Sequence, residues 1–248
     1  MREKYMGNKK REQTLVLIKP DALKNSLTGY VLSQLSEFHT NLRFAGAKIV
    51  QVSKMLAEEH YTEHRGEIFF PSLLDHIMGL IHYPDAPWKH RVIAIVYQGL
   101  EATKKIRDIA GPTNPHVARD EKPGCIRALG TVVPLKGAGG EVIGERMDNI
   151  IHASASVSEA EREIKLWFKP NDIPPLMHAF PTKVSDTYYY IKEGNLHTTH
   201  EQDSICFLAP GDVAWESDLE ALSLLSRGLA APCTFAAVVA KYLINEKR

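Results

Sequence analysis

The stretch Asn149–Phe168, "NIIHASASVSEAEREIKLWF", constrains the fold more than any other part of the chain. A short apolar run passes one histidine, His152, and then meets Ser156-Val-Ser-Glu159, a capping-box pattern that starts a helix. Val157, Ala160, Ile164 and Trp167 recur along one face of that helix, and Pro170 ends it. Glu163 borders the apolar stripe and is placed to point inward. The outcome is a strand-to-helix junction with an imidazole just ahead of a helix N-terminus. There, unpaired N–H groups and the helix dipole favour an anion.

Other segments supply the partners such a junction needs. Thr14–Ile18 is a strand-forming run stopped by Pro20, Arg43–Lys54 partly alternates, and Val92–Tyr97 reads as a buried strand ended by Gly99. Tyr30, Val31, Leu35 and Phe38 give Thr28–His39 a helical spacing. Short helices are expected over Ala57–Arg65 and Ser72–Leu80, and another over Glu101–Ala110 before the "GPTNP" loop. Gly137–Gly140 marks a surface hairpin or loop, since no phosphate-binding glycine motif surrounds it. Beyond Pro170 the chain is proline-punctuated, with a hairpin turning at Glu193-Gly194-Asn195 and helices over Asp218–Arg227 and Thr234–Asn245. The division expected is 1–169 as one domain and 170–248 as an extension, for which a small α+β subdomain is one form.

Composition narrows the function classes. Lys+Arg and Asp+Glu are each 30 of the 248 residues, so no global basic surface invites nucleic acid. Cys125, Cys206 and Cys233 are widely separated and form no metal-ligand spacing, which suits a reducing cytoplasm. The charged N-terminus lacks an apolar signal core, and Leu229–Ile244 is interrupted by Pro232 and Lys241, so no membrane span is expected. His178, His197 and His200 read as solvated loop residues, and Tyr188–Tyr190 as alternating strand faces.

Five blocks in order carry a resemblance: "TLVLIKPDAL" (14–23), "HYTEHRGEIFFPSLL" (60–74), "VYQGLEATKKIRDIAGPTNP" (96–115), "KPGCIR" (122–127) and the histidine block (149–168). The chain resembles the nucleoside diphosphate kinases. The resemblance implies a ferredoxin-like βαββαβ core with an antiparallel sheet. It also implies transfer of a γ-phosphoryl group from an NTP to an NDP through a phosphohistidine, in a ping-pong cycle with broad base specificity. His152 aligns with the nucleophile, an apt group because imidazole is neutral and nucleophilic near pH 7. Lys19 aligns with the lysine that contacts phosphate and ribose. Arg107, Thr113 and Arg127 align with the phosphate binders, Asn149 with the ribose-binding amide, and Phe69 with the ring that stacks on the base. Tyr61, Ser154 and Glu163 align with the groups around the nucleophile. Mg²⁺ is implied as held mainly by the nucleotide phosphates, with no protein metal site, and a homo-oligomer of six or four subunits is implied as well.

The chain departs from that pattern in several places. Ala22 replaces a glycine, "ALG" follows Arg127 where "GDF" is usual, and extra residues separate Arg127 from Asn149. Ala153 and Ala155 alter the histidine motif, Arg146 falls where a small apolar residue often lines the base, and Ile81–His90 is an insertion. None removes a catalytic group. A second reading keeps the pocket but assigns the chain to nucleotide binding or scaffolding through its extension.

Overall fold

The computed structural model describes residues 12–243. In chain order it contains β1 (Glu12–Ile18), α1 (Pro20–Lys24), α2 (Thr28–Gln34), α3 (Glu37–Thr40), β2 (Arg43–Val50), α4 (Lys54–His60) and α5 (Phe70–Ile77). Then come β3 (Val92–Gly99), α6 (Ala102–Ala110), α7 (Pro115–Glu121), β4 (Thr131–Lys136), β5 (Val142–Asp148), β6 (Ile151–Ala153) and α8 (Val157–Trp167). The remainder holds β7 (Thr182–Val184), β8 (Tyr189–Lys192), β9 (Asn195–His197), β10 (Ile205–Leu208), β11 (Val213–Trp215), α9 (Glu216–Leu225) and α10 (Phe235–Val239).

The principal sheet has the order β2-β3-β1-β6, with β1 antiparallel to both β3 and β6. That order is the ferredoxin-like arrangement expected. Val16, Ile18, Ile151 and Ala153 face one side of the sheet and join a core with Val31, Leu35, Ile106 and Ala110 from the helices. Side chains alternate along a strand, so His152, directly opposite Leu17, lies on the other face.

The helix expected over Thr28–His39 is two helices. The Ser36 hydroxyl accepts from the His39 N–H and starts α3, which leaves Phe38 on the surface at 93% exposure. The predicted hairpin or loop at Gly137–Gly140 is the tip of the β4–β5 hairpin, so the extra residues before Asn149 form an antiparallel ribbon whose register shifts between Leu135 and Lys136. Ser156 caps α8 through the Glu159 N–H, and Ala160, Ile164 and Trp167 are buried as the spacing required. Val157, on the first turn, is instead half exposed.

The chain divides into two compact units, residues 1–49 with 92–161, and 50–91 with 162–248, which cut across the sequence-based division at 169/170. The second unit joins α4 to the extension: Met55 packs into a core with Tyr189, Phe207, Leu222, Val238 and Val239. Within the extension, β10-β8-β9 form a sheet, β11 pairs with β7, and the expected β8–β9 turn is Glu193-Gly194, both at positive φ. Tyr189 is buried, whereas Tyr188 and Tyr190 stack on the opposite side. The helix expected to run to Asn245 is the shorter α10, and Ile244 onward lies outside the described residues. His178 corrects the solvated reading: it is half buried, and its Nε2 lies 2.9 Å from the carbonyls of Pro170 and Ile173.

Candidate functional site

The first unit gathers most of the predicted site around the segment Asn149–Ala153. Lys19, at the end of β1 before the helix-starting Pro20, is buried and donates through Nζ to the Asn149 amide oxygen. The Asn149 Nδ2 donates in turn to the Thr113 carbonyl at 2.8 Å. The Arg127 Nη1 reaches the Gly111 carbonyl at 3.0 Å and the Thr113 hydroxyl at 3.5 Å, and its Nε and Nη2 reach the Ile151 carbonyl at 3.4 and 3.3 Å. Arg107, on α6, sends Nη1 to the Ala153 carbonyl at 3.4 Å. Lys19, Asn149, Thr113 and Arg127 therefore form one hydrogen-bonded chain, and the two guanidiniums bracket His152 through the carbonyls on either side of it.

The electrostatics match an anion. Burial pushes the Lys19 ammonium below its usual range; Asp21 pulls it back, Arg127 lowers it further, Asp148 opposes and Arg146 adds to the lowering. A group so placed gains from a negatively charged ligand. Arg146 itself forms a forked pair with Asp148, Nε to Oδ1 at 2.7 Å and Nη2 to Oδ2 at 3.2 Å, at the end of β5 next to Asn149.

Ser154 is fully buried, and its hydroxyl serves the strand seam. It accepts from the Leu15 N–H at 3.1 Å and donates to the Leu15 carbonyl at 3.4 Å, which fixes the end of β6 onto β1.

The backbone before His152 is strained. Ile150 has φ +72°, and the Ile151 N–H closes onto the Asn149 carbonyl at 2.7 Å, a three-residue turn. A β-branched residue there costs about 1–3 kcal/mol and persists only where its surroundings hold it. Two bonds do so: the Ile150 N–H donates to Asp21 Oδ2 at 2.8 Å, and its carbonyl accepts from the Lys19 N–H at 3.0 Å. Asp21 thus supports the segment that carries His152, a role the sequence alone did not single out beyond its place in "KPDA". Asp21→Ala is expected to cost about 1–3 kcal/mol, because it strips the acceptor from a buried N–H. Asp21→Asn, which keeps an acceptor, is expected to cost less. Chemical denaturation together with amide exchange at Ile150 reads the difference, and equal stability of Asp21→Ala and wild type would refute it.

The second unit carries Tyr61, Phe69 and Glu163. Tyr61 follows α4 and is buried with its ring edge-on to His60 at 4.5 Å. Phe69 precedes α5, half buried, edge-on to His64 at 5.5 Å. Glu163, 3% exposed on α8, points inward as its position beside the apolar stripe suggested, with Oε1 3.9 Å from the Arg162 guanidinium and 4.0 Å from the His60 Nδ1.

Comparison with known proteins places these residues in a family context. The family model described as nucleoside diphosphate kinase matches residues 12–173. A nucleoside diphosphate kinase of Pyrococcus furiosus is 39% identical over 162 residues, covering 65% of this chain and 86% of the relative. One from Staphylococcus aureus is 40% identical over 162 residues, 65% of this chain and 91% of its own length. Among solved structures, the Aquifex aeolicus nucleoside diphosphate kinase superposes with a TM-score of 0.52 at 28% identity, covering 66% of this chain and all of that one. A halophilic nucleoside diphosphate kinase from Halobacterium salinarum in complex with CDP gives 0.50 at 29%, covering 66% and 92%.

Proposed function

The chain belongs to the nucleoside diphosphate kinase family, and from that premise we propose that it transfers the γ-phosphoryl group of an NTP to an NDP through a phosphohistidine at His152. The observation that carries this reading is the hydrogen-bonded set Lys19–Asn149–Thr113–Arg127 around the strained turn that presents His152. Phosphoryl transfer asks chiefly for positioning and neutralisation of developing charge. Lys19, Arg107 and Arg127 supply the charge, Asn149 and Thr113 the orientation, and the rigid Asn149–Ala153 segment a fixed nucleophile. Phe69 is assigned to base stacking, Tyr61 and Glu163 to support of the nucleophile, and Ser154 to anchoring its strand. Recognition through phosphates, ribose and one aromatic face supports broad base specificity.

The groups of the first unit assigned to phosphate are three cations, Lys19, Arg107 and Arg127, and the Thr113 hydroxyl, which fit phosphate oxygens and leave Mg²⁺ to arrive as part of the substrate, bound by the nucleotide. A homo-oligomer is part of the proposal, supported by the sheet-edge strand β2, where Ile49 and Phe44 stand exposed. A cytoplasmic setting is proposed on the cysteine pattern; among the described residues no helix is long and apolar enough to cross a membrane.

The test is to incubate the protein with Mg²⁺ and γ-labelled ATP and to look for acid-labile, alkali-stable label on the chain. A chase with unlabelled GDP or CDP should release it as GTP or CTP. Nucleotide binding without label would refute the kinase reading and leave a binding module.

The Lys19 environment adds a proton-linked expectation. Its pKa is lowered in the free protein, and a bound phosphate raises it, so binding takes up a proton. Affinity should therefore fall as pH rises through the lowered Lys19 pKa. Calorimetry in two buffers of different ionisation enthalpy measures the uptake, and the same uptake in Lys19→Gln would rule Lys19 out as its source.

A further inference from the structure

The second unit contains a buried histidine that the mechanism above does not use. His60, the last residue of α4, is 2% exposed, and Trp167, the last residue of α8, is fully buried. The Trp167 Nε1–H donates to the His60 Nδ1 at 3.2 Å, with the rings edge-on at 5.4 Å. An indole N–H can only donate, so Nδ1 must accept, and the neutral ring carries its proton on Nε2.

That assignment matters because of what lies around the ring. The same Nδ1 is 4.0 Å from Glu163 Oε1, and the ring meets Tyr61 edge-on at 4.5 Å. The end of α4 is itself tied to α8: the Arg162 Nη1 and Nη2 donate to the carbonyls of Glu59 and His60 at 3.1 and 3.3 Å. These are last-turn carbonyls with no helical partner, so Arg162 acts as their cap. His60 is thereby fixed in backbone and ring, in contact with both second-unit residues assigned to the nucleophile's support.

We propose that His60 is a positioning residue for Glu163 and Tyr61, and that the Trp167 indole N–H holds it in the tautomer that cannot donate to Glu163 from Nδ1. With Trp167 occupying Nδ1, that nitrogen does not donate to the Glu163 carboxylate 4.0 Å away. Without that bond, Nδ1 would be free to take a proton and capture the carboxylate. The inference rests on the phosphohistidine reading, since only there do Glu163 and Tyr61 have a catalytic task.

Three variants of the full-length protein test it, each read for kcat, for KM of the NDP, and for the rate of labelling by γ-labelled ATP. Trp167→Phe keeps a ring but removes the donor. It is expected to lower kcat and the labelling rate about tenfold or more with KM unchanged, as misplacement of a supporting group does. His60→Leu, apolar and of similar bulk, is expected to lose as much. His60→Asn offers Oδ1 to the indole and cannot donate from that atom, so it should recover most of what His60→Leu loses. Wild-type kcat in folded Trp167→Phe would overturn the proposal, and so would equal losses in His60→Asn and His60→Leu. If Trp167→Phe fails to fold, the two His60 variants still decide. Absence of label on the wild type would instead remove the phosphohistidine reading, and the proposal with it.

Discussion

His152→Ala is expected to abolish labelling by γ-labelled ATP and to reduce NTP–NDP phosphoryl exchange at least about 10⁴-fold, because in the proposed ping-pong cycle His152 is the group that carries the phosphoryl between half-reactions. Such a loss corresponds to roughly 5 kcal/mol of transition-state stabilisation. The fold should survive. The backbone of His152 pairs with Leu17 within the sheet, and its side chain lies on the face away from the Val16–Ile18–Ile151–Ala153 core. Alanine in that strand alters stability by about 1 kcal/mol at most. Nucleotide affinity should survive too, since Lys19, Asn149, Thr113 and Arg127 are joined by hydrogen bonds to one another that the substitution leaves in place. The measurement is paired: exchange rate and label on one side, nucleotide Kd and Tm on the other. Undiminished exchange in a folded variant would exclude His152 as the carrier.

The features legible in the sequence are those set by local periodicity. β1 and β3 were visible as apolar runs ended by Pro20 and Gly99, and α8 as a capped stripe, because strand and helix periods are written in neighbouring residues. The break at Ser36 was not, since a serine cap competes locally with a helical pattern that would otherwise continue to His39. Features that depend on distant pairing were invisible. Asp21 is 129 residues from the N–H it holds, and His60 is 107 from the indole that selects its tautomer. Nothing in "KPDA" states that Ile150 sits at positive φ. The residues proposed for the site could be named because they lie in motif blocks, whereas the bonds that orient them exist only once the chain has folded. The second unit is the extreme case: Met55, between the motif blocks 14–23 and 60–74, shares a core with residues of the extension, and no compositional boundary announces it.

That shared core makes Asp218→Ala the variant with the largest expected effect on stability. Lys241 is 2% exposed, and its Nζ donates to Asp218 Oδ2 at 3.0 Å and to the Val238 carbonyl at 2.8 Å; Asp218, on α9, is 5% exposed. Burial pushes the Asp218 carboxyl up, and the Lys241 ammonium opposes that shift. Deleting the carboxylate leaves an ammonium buried with no countercharge from Asp218, answered by the Val238 carbonyl and the face of the Tyr242 ring 5.4 Å away, a loss of about 3–5 kcal/mol. The damage should not stay in the extension. α10 carries Val238 and Val239 into the core that holds Met55 of α4, and the Trp215 Nε1–H anchors the Phe168 carbonyl just after α8 at 2.7 Å. α4 and α8 are the helices that present Tyr61 and Glu163, so a loosened extension should lower both Tm and kcat, while the share of nucleotide Kd that comes from the phosphate and ribose contacts proposed for the first unit changes less. Replacing both partners with apolar residues, Asp218→Leu with Lys241→Met, removes the buried charges together and should restore most of the stability. Recovery in the double variant would identify the uncompensated charge as the cause. If the double variant is as unstable as Asp218→Ala, the pair itself is needed to orient α9 and α10, and its role is structural specificity.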